Sequence, residues 1–266
     1  MTRYDRLHTA RVLLHLVRLS LWRILLHPRR ALVEAALMLF NNAMMFANWV
    51  LIFQLVDTLR GWHLSDVAIL YGTGATAFGL ATGIFGGVRN LAFEIESGRF
   101  DNCLCRPVPP LALGLSGSTS LHAWGDAMTG PVLWILVAGV SAGEFGFLLL
   151  AAVLGAVLIG SFGILIQSLA FWLSGTALQS DTLLFILISF VVMPMHNMPV
   201  LFKLFLFTLV PAGFVAFLPV ELLQHFSGEK FAAVALAPFA FLLIAVGVFQ
   251  LGLRRYTGAS TLRTAL

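Results

Sequence analysis

The sequence predicts an all-α integral membrane protein: six transmembrane helices, an N-terminal interfacial amphipathic helix and an outer re-entrant helical hairpin before the last span. Three observations predict this class. First, 59% of the 266 residues are hydrophobic and 11% charged, against roughly 25% charged in an ordinary soluble domain. Second, the charges fall in a few blocks, separated by apolar stretches long enough to cross about 30 Å of hydrocarbon. Third, the basic residues gather at the ends of those stretches on one side, the pattern that holds cations in the cytoplasm. The formal charge of +4 therefore points to membrane orientation. Nucleic-acid binding would need cations along one soluble face.

The chain is expected to form a single membrane domain over 1–266. Arg3, Arg6, Arg11, Arg18 and Arg23 interrupt the first residues, so no apolar core of a cleavable signal peptide forms. Residues 1–30 instead contain an amphipathic helix. Arg11, His15 and Arg18 fall on one face, and Leu13, Leu14, Val17, Leu21 and Ile24 cover the remainder, a pattern suited to the headgroup boundary of a lipid bilayer. Pro28 ends it, and Arg29 and Arg30 anchor the next helix at the surface.

The first span is 33–56, about 36 Å at 1.5 Å per residue. Asp66 is expected to cap the second span, 67–88, in which Gly79, Gly83 and Gly87 recur at four-residue spacing and invite close approach of another helix. The polar connection 89–121 follows. The third span is 124–140 and the fourth 147–173, joined by a short turn around Glu144. The fifth, 182–200, begins after Asp181 and meets Pro194 and Pro199, which lack the amide donor a helix needs. The segment 201–228 is apolar but broken by Lys203, Pro211, Gly213, Pro219 and Glu221. As a full crossing it would put Arg254, Arg255 and Arg263 outside; as a re-entrant pair of half-helices it leaves only Arg60, Lys203 and Lys230 there. The last span is 231–251, with both termini cytoplasmic.

Few residues carry recognisable chemistry. The only lysines are Lys203 and Lys230, and neither stands in a phosphate-binding loop, so the chain is expected to have no ATPase site of its own. Cys103 and Cys105 supply too few ligands for a zinc site, and His196 with Met193, Met195 and Met198 reads as the polar end of a helix before a copper site. No cofactor is expected. Asp126, near the start of the third span, is expected at the interface as a cap. In the first span Glu34, Met38, Asn41, Met45 and Asn48 share one face. Interhelical hydrogen bonding and the lining of a transport path both fit that face, with Asn41, Met45 and Asn48 as the path candidates. The loop Glu94-Ile95-Glu96-Ser97-Gly98-Arg99-Phe100-Asp101-Asn102-Cys103-Leu104-Cys105-Arg106 mixes both charges with apolar residues, as a short helix does when it presses on a soluble partner.

This loop resembles the first cytoplasmic loop of permease subunits of type-2 ATP-binding-cassette (ABC) transporters, in the six-span subgroup with a G-x-[FL]-D-x-x-L-x-R-P signature. The matching positions are Gly98, Phe100, Asp101, Leu104, Arg106 and Pro107. The subgroup's P-x-x-F-x-x-x-x-P stretch is matched by Pro211, Phe214 and Pro219, and its G-x-x-R-Y tail by Gly252, Arg255 and Tyr256. The resemblance implies a second permease, as homodimer or heterodimer, and separate ATPase subunits in the plasma membrane. It implies export, and a coupling helix in which Glu94, Glu96, Arg99, Asp101 and Arg106 engage the ATPase. An ion-gradient-driven secondary transporter, which would carry inverted repeats and intramembrane ionisable groups, and a non-transporting scaffold are the competing expectations.

Overall fold

A computed structural model describes residues 11, 15, 18, 22, 26–59, 61–106, 108–115, 120–195 and 198–256. Of the N-terminal amphipathic segment, Arg11, His15, Arg18, Trp22 and Leu26 are therefore placed, each helical and exposed. Arg60, Pro107, His196, Asn197 and Arg263 lie outside the described residues.

Among the described residues the protein is helical, without a strand. The first helix, α1, is Pro28–Leu55 and α2 is Leu64–Phe85, which a 3-10 turn at Gly86–Asn90 joins to the short α3, Leu91–Glu96. Then come α4 (Asp101–Leu104), α5 (Pro110–Leu115) and α6 (Ala123–Leu133), the last extended by a wide π turn to Ala138. The chain continues through α7 (Ala142–Gln167), α8 (Ala177–Val191), α9 (Val200–Thr208), α10 (Leu218–Gln224) and α11 (Gly228–Arg255). Four stretches are long and apolar enough to cross a membrane: Pro28–Leu55, Leu64–Glu96, Ala142–Phe171 and Gly228–Arg255. Ala123–Ala138 and Ala177–Val191 are apolar but shorter. Val200–Thr208 and Gly213–Gln224 make a pair bent by 91°, as a broken span or a re-entrant loop is.

Small residues decide which helix lies at the centre. In α2, 78% of the apolar window is buried, against 11% in α1 and 17% in α11. Lipid tails are as apolar as leucine, so helices associate in a membrane through close packing and hydrogen bonds, which Gly and Ala permit. A Cβ on Gly79 would run into the backbone of Ala123 and Ala127, so α2 and α6 touch backbone to backbone there. A Cβ on Gly87 would meet the carbonyls of Gly114 and Leu115 in the same way, whereas one on Gly83 would lie 3.6 Å from Trp124, an ordinary contact. Gly79 and Gly87 are thus contact points and Gly83 is not. Gly130 of α6, against Thr76 and Gly72, completes the seam. Gly79→Ala is expected to lower the melting temperature in detergent, at a cost of about 1–3 kcal/mol, while Gly83→Ala leaves it unchanged. Equal melting of the two variants would contradict this packing.

A proline accounts for the polar contact in this seam. Pro131 lies inside α6 and has no N–H for the carbonyl of Ala127, four residues earlier. Thr76 of α2 replaces it: its Oγ1 donates to Ala127 O at 3.1 Å and accepts from Gly130 N at 3.1 Å. Hydrocarbon supplies no substitute for such a bond. Thr76→Val should therefore destabilise the protein by about 1–2 kcal/mol, visible as a lower unfolding midpoint.

The helix ends follow their caps. Asp66 does not cap α2 as the N-cap residue. The N-cap is His63, and Asp66, three residues on, accepts from His63 N at 2.8 Å as the return arm of a capping box. Between α6 and α7, Gly139 turns with φ of 65°, and Ser141 and Glu144 form a second capping box. The Ser141 amide donates to Glu144 Oε2 at 2.7 Å. α8, where the fifth span was expected over 182–200, starts at Ala177, ahead of Asp181, and stops at Val191, ahead of Pro194. Its start is set by a partner from another segment, described below, which no local pattern announces. On the far side, Phe207 packs edge to face on Phe214 at 5.1 Å and over Gly213, closing the bend that contains Pro211. The Lys230–Glu221 pair at 2.8 Å ties this bend to α11.

Candidate functional site

Two features stand out: the folded loop between α2 and α6, and a cavity beside α2.

The loop is anchored by its own turns and rings. Gly98, with φ of 76°, reverses the chain after α3, a conformation that favours glycine. Phe100 is then fully buried and sits edge to face against Phe171, Phe249 and Tyr256, at 5.9, 6.0 and 5.8 Å. Gly252 leaves room for the Phe171 ring, which a Cβ there would strike. The loop motif and the C-terminal motif of the sequence are therefore two halves of one aromatic cluster. Asp101 lies beside Tyr256; burial first, then this carboxylate, pushes the phenol upward.

Glu96 also turns inward. Its Oε1 accepts from Thr176 N at 2.6 Å, Thr176 Oγ1 at 2.9 Å and Ala177 N at 3.2 Å, so it caps the N-terminus of α8 from a distant segment. A carboxylate suits that end, where unpaired N–H groups and the helix dipole present positive charge. Gln167, at the end of α7, is wholly buried: its Nε2 donates to Arg89 O at 3.0 Å and its Oε1 accepts from Ala92 N at 3.0 Å. These bonds satisfy backbone groups where α2 breaks into α3. Gln167→Leu would strand both, and should increase amide exchange at Ala92 by about tenfold or more.

What remains outside is a set of basic and apolar side chains. Arg99 stands with its guanidinium 5.3 Å from the Phe93 ring centroid. Arg99, Asn102, Cys105 and Arg106 are exposed, and Phe93 and Leu104 keep 51% and 42% of their surface open. Glu94 is half-buried; burial raises its carboxyl, with Arg99 opposing. Burial likewise raises the Cys103 thiol, and both cysteines are free. Of the five loop candidates, Arg99 and Arg106 thus face outward, Glu94 lies at the margin, and Glu96 and Asp101 bind the protein's own helices.

The cavity has a volume of about 360 Å³ and lies between α1, α2, α7 and α8, with Asp126 of α6 at its wall. Met38, Asn41 and Met45 line it. Asn48 does not: its Nδ2 turns back to Met44 O and Met45 O at 3.3 and 3.2 Å. Asn42, one residue from the predicted face, is the buried amide of the region. It donates to Asp126 Oδ1 at 2.7 Å and Thr129 Oγ1 at 2.9 Å, and accepts from Tyr71 OH at 3.3 Å. Asp126 is 2% exposed, which corrects the expectation of a hydrated cap. Although early in α6, it meets Asn42 at the midpoint of α1. Arg89 and Asp181 stand at one end of the cavity, near Ser120 and His122. Asn42 and Gln167 were legible only as isolated amides in apolar runs.

No curated protein and no solved structure matches this chain. A family model described as "ABC-2 family transporter protein" matches residues 39–260, from the middle of α1 past the end of α11. That match takes in both halves of the aromatic cluster, the loop they anchor and the whole cavity wall beyond Met38, and by it the chain belongs to the ABC-2 transporter family, as a transmembrane component and not an ATPase.

Proposed function

We propose that this protein is the membrane-spanning permease of an ATP-driven exporter, working as a pair with a second permease, identical or related, and with separate ATP-binding-cassette ATPase subunits. The observation that carries this is the two-sided loop. Its inner side is fixed to α8 by Glu96 and to α11 by Phe100, while Phe93, Arg99, Leu104 and Arg106 are left outside. An outer face with two guanidiniums and two apolar side chains suits a soluble docking partner, and the inner bonds would pass its movement to two helices.

Six spans agree with the arginine distribution: α1, α2, α6, α7, α8 and α11 cross, α9 and α10 form the outer re-entrant pair, and both termini are cytoplasmic in the plasma membrane. The 91° bend between α9 and α10 supports the re-entrant assignment. Asn41 and Met45 then belong to the transport path, and Arg99 and Arg106 to ATPase docking.

Affinity purification of the full chain from its native membrane, with ATP hydrolysis measured in the eluate, tests this. An ATPase is expected to elute with the wild-type chain. Arg99→Glu with Arg106→Glu should reduce its recovery about tenfold while the chain still inserts. An eluate without ATPase activity, or one unchanged in the double variant, would overturn the assignment.

A further inference from the structure

The buried network beside the cavity is complete except at one atom. The Asn42 amide is fully used, with its oxygen accepting from Tyr71 and its nitrogen donating to Asp126 Oδ1 and Thr129. The Thr129 hydroxyl in turn donates to Gly125 O at 2.9 Å. These bonds fix the Asp126 carboxyl through Oδ1 alone. Its second oxygen, Oδ2, is buried and has no hydrogen-bond partner among the described residues. A buried carboxylate oxygen without a donor is costly, and a carboxylate inside a membrane domain more so.

The charges around it do not supply the missing partner. No described salt bridge includes Asp126. Arg89 lines the same cavity but at the end shared with Asp181, and Asp181 accepts from Gln167 Nε2 at 3.4 Å. His122, one turn before Asp126, is exposed and bonded to Ser120 at 2.7 Å. Tyr71 faces the carboxyl with its hydroxyl already directed at Asn42. The remaining wall is largely apolar, with Phe78, Phe85, Ile159, Leu184 and Ile188 among its residues. At about 360 Å³ the space falls within the roughly 300–1,000 Å³ of small-molecule sites.

We infer that this cavity binds an amphipathic cation, with Asp126 Oδ2 accepting from its ammonium group and the aromatic and aliphatic wall holding its apolar body. The amine supplies the donor that the network omits, and it neutralises a buried carboxylate that no described salt bridge includes. Asn42, Thr129 and Tyr71 are positioning residues: they hold the carboxyl at the cavity wall through Oδ1 and leave the buried Oδ2 to turn toward a donor that enters the cavity. The inference deepens the permease assignment, because the bound cation is then a candidate cargo.

The test is binding to the full chain alone in lipid nanodiscs, without ATPase, so that it is independent of the docking experiment above. Two fluorescent probes serve: dansylcadaverine, an apolar ring system on a primary amine, and its N-acetyl derivative, with the same body and no charge. Wild type should bind the amine roughly 10- to 100-fold more tightly than the acetylated probe. Asp126→Asn should abolish that preference while binding of the acetylated probe stays the same, and Asp126→Glu should restore part of it. Equal affinity of wild type for the two probes, an undiminished preference in Asp126→Asn, or equal loss of both probes in both variants would overturn the inference. If the chain binds the amine as expected but no ATPase elutes with it, the permease assignment fails and the cation site stands.

Discussion

Replacing Phe100 by alanine is expected to lower stability by about 3–5 kcal/mol, the usual cost of removing a fully buried aromatic ring from a packed site. Phe100 is 0% exposed and touches three rings from two segments: Phe171 after α7, and Phe249 in α11 with Tyr256 just beyond it. Removing it leaves a hole that no single neighbour can fill, since Phe171, Phe249 and Tyr256 are already held edge to face by one another. Thermal unfolding in detergent measures the loss. Phe93→Ala is the companion variant: its ring is half open and rests against Arg99, so stability should change by less than about 1 kcal/mol while ATPase docking weakens. If Phe93→Ala proved as destabilising as Phe100→Ala, the division of the loop into an inner and an outer side would be wrong.

Glu96→Ala is expected to loosen the start of α8 without unfolding the protein. One carboxylate oxygen accepts three bonds from Thr176 and Ala177, and because they share that oxygen and the freed amides can turn to water, their joint loss should cost about 1.5–3 kcal/mol. Hydrogen exchange at the Thr176 and Ala177 amides should accelerate by roughly 10- to 100-fold. Glu96→Gln keeps an acceptor oxygen but not the charge, and should fall between. On the proposed function, Glu96→Ala should leave ATP hydrolysis by the partner running while transport falls, because Arg99 and Arg106 stay outside but the loop no longer holds α8. Unchanged exchange at these amides would show that the cap does not form, and would remove α8 from the coupling route. Charge reversal at Glu96 therefore reports on the cap, whereas Arg99 and Arg106 report on docking.

Where the candidate residues lie was legible in part, for a physical reason. Arg99 and Arg106 were readable because charged residues next to apolar ones in a loop signal an exposed face. Asn41 and Met45 were readable because three- and four-residue spacing puts them on one side of a helix, and that side borders the cavity. Asn48 shares the spacing, but its amide folds back on its own helix, a choice made by hydrogen-bond competition and invisible to periodicity. Asn42 lay one step off the chosen face. Its significance depends on Asp126, 84 residues away, and on Tyr71 from a third helix.

By itself, the sequence determined that this chain lives in a membrane, that it is built of helices, where most of them run, and that it has a two-signed loop between its second and third helical hydrophobic stretches. Those properties follow from composition and from spacing along one segment, which a linear chain displays directly. The tertiary structure alone decided that Gly79 is a contact and Gly83 is not, that Thr76 serves the carbonyl Pro131 cannot, that Glu96 caps α8, and that Asp126 is buried. Each of those depends on two segments meeting at a fixed distance, and in a bilayer, where hydrophobicity does not select one apolar neighbour over another, only the packed arrangement selects the pair.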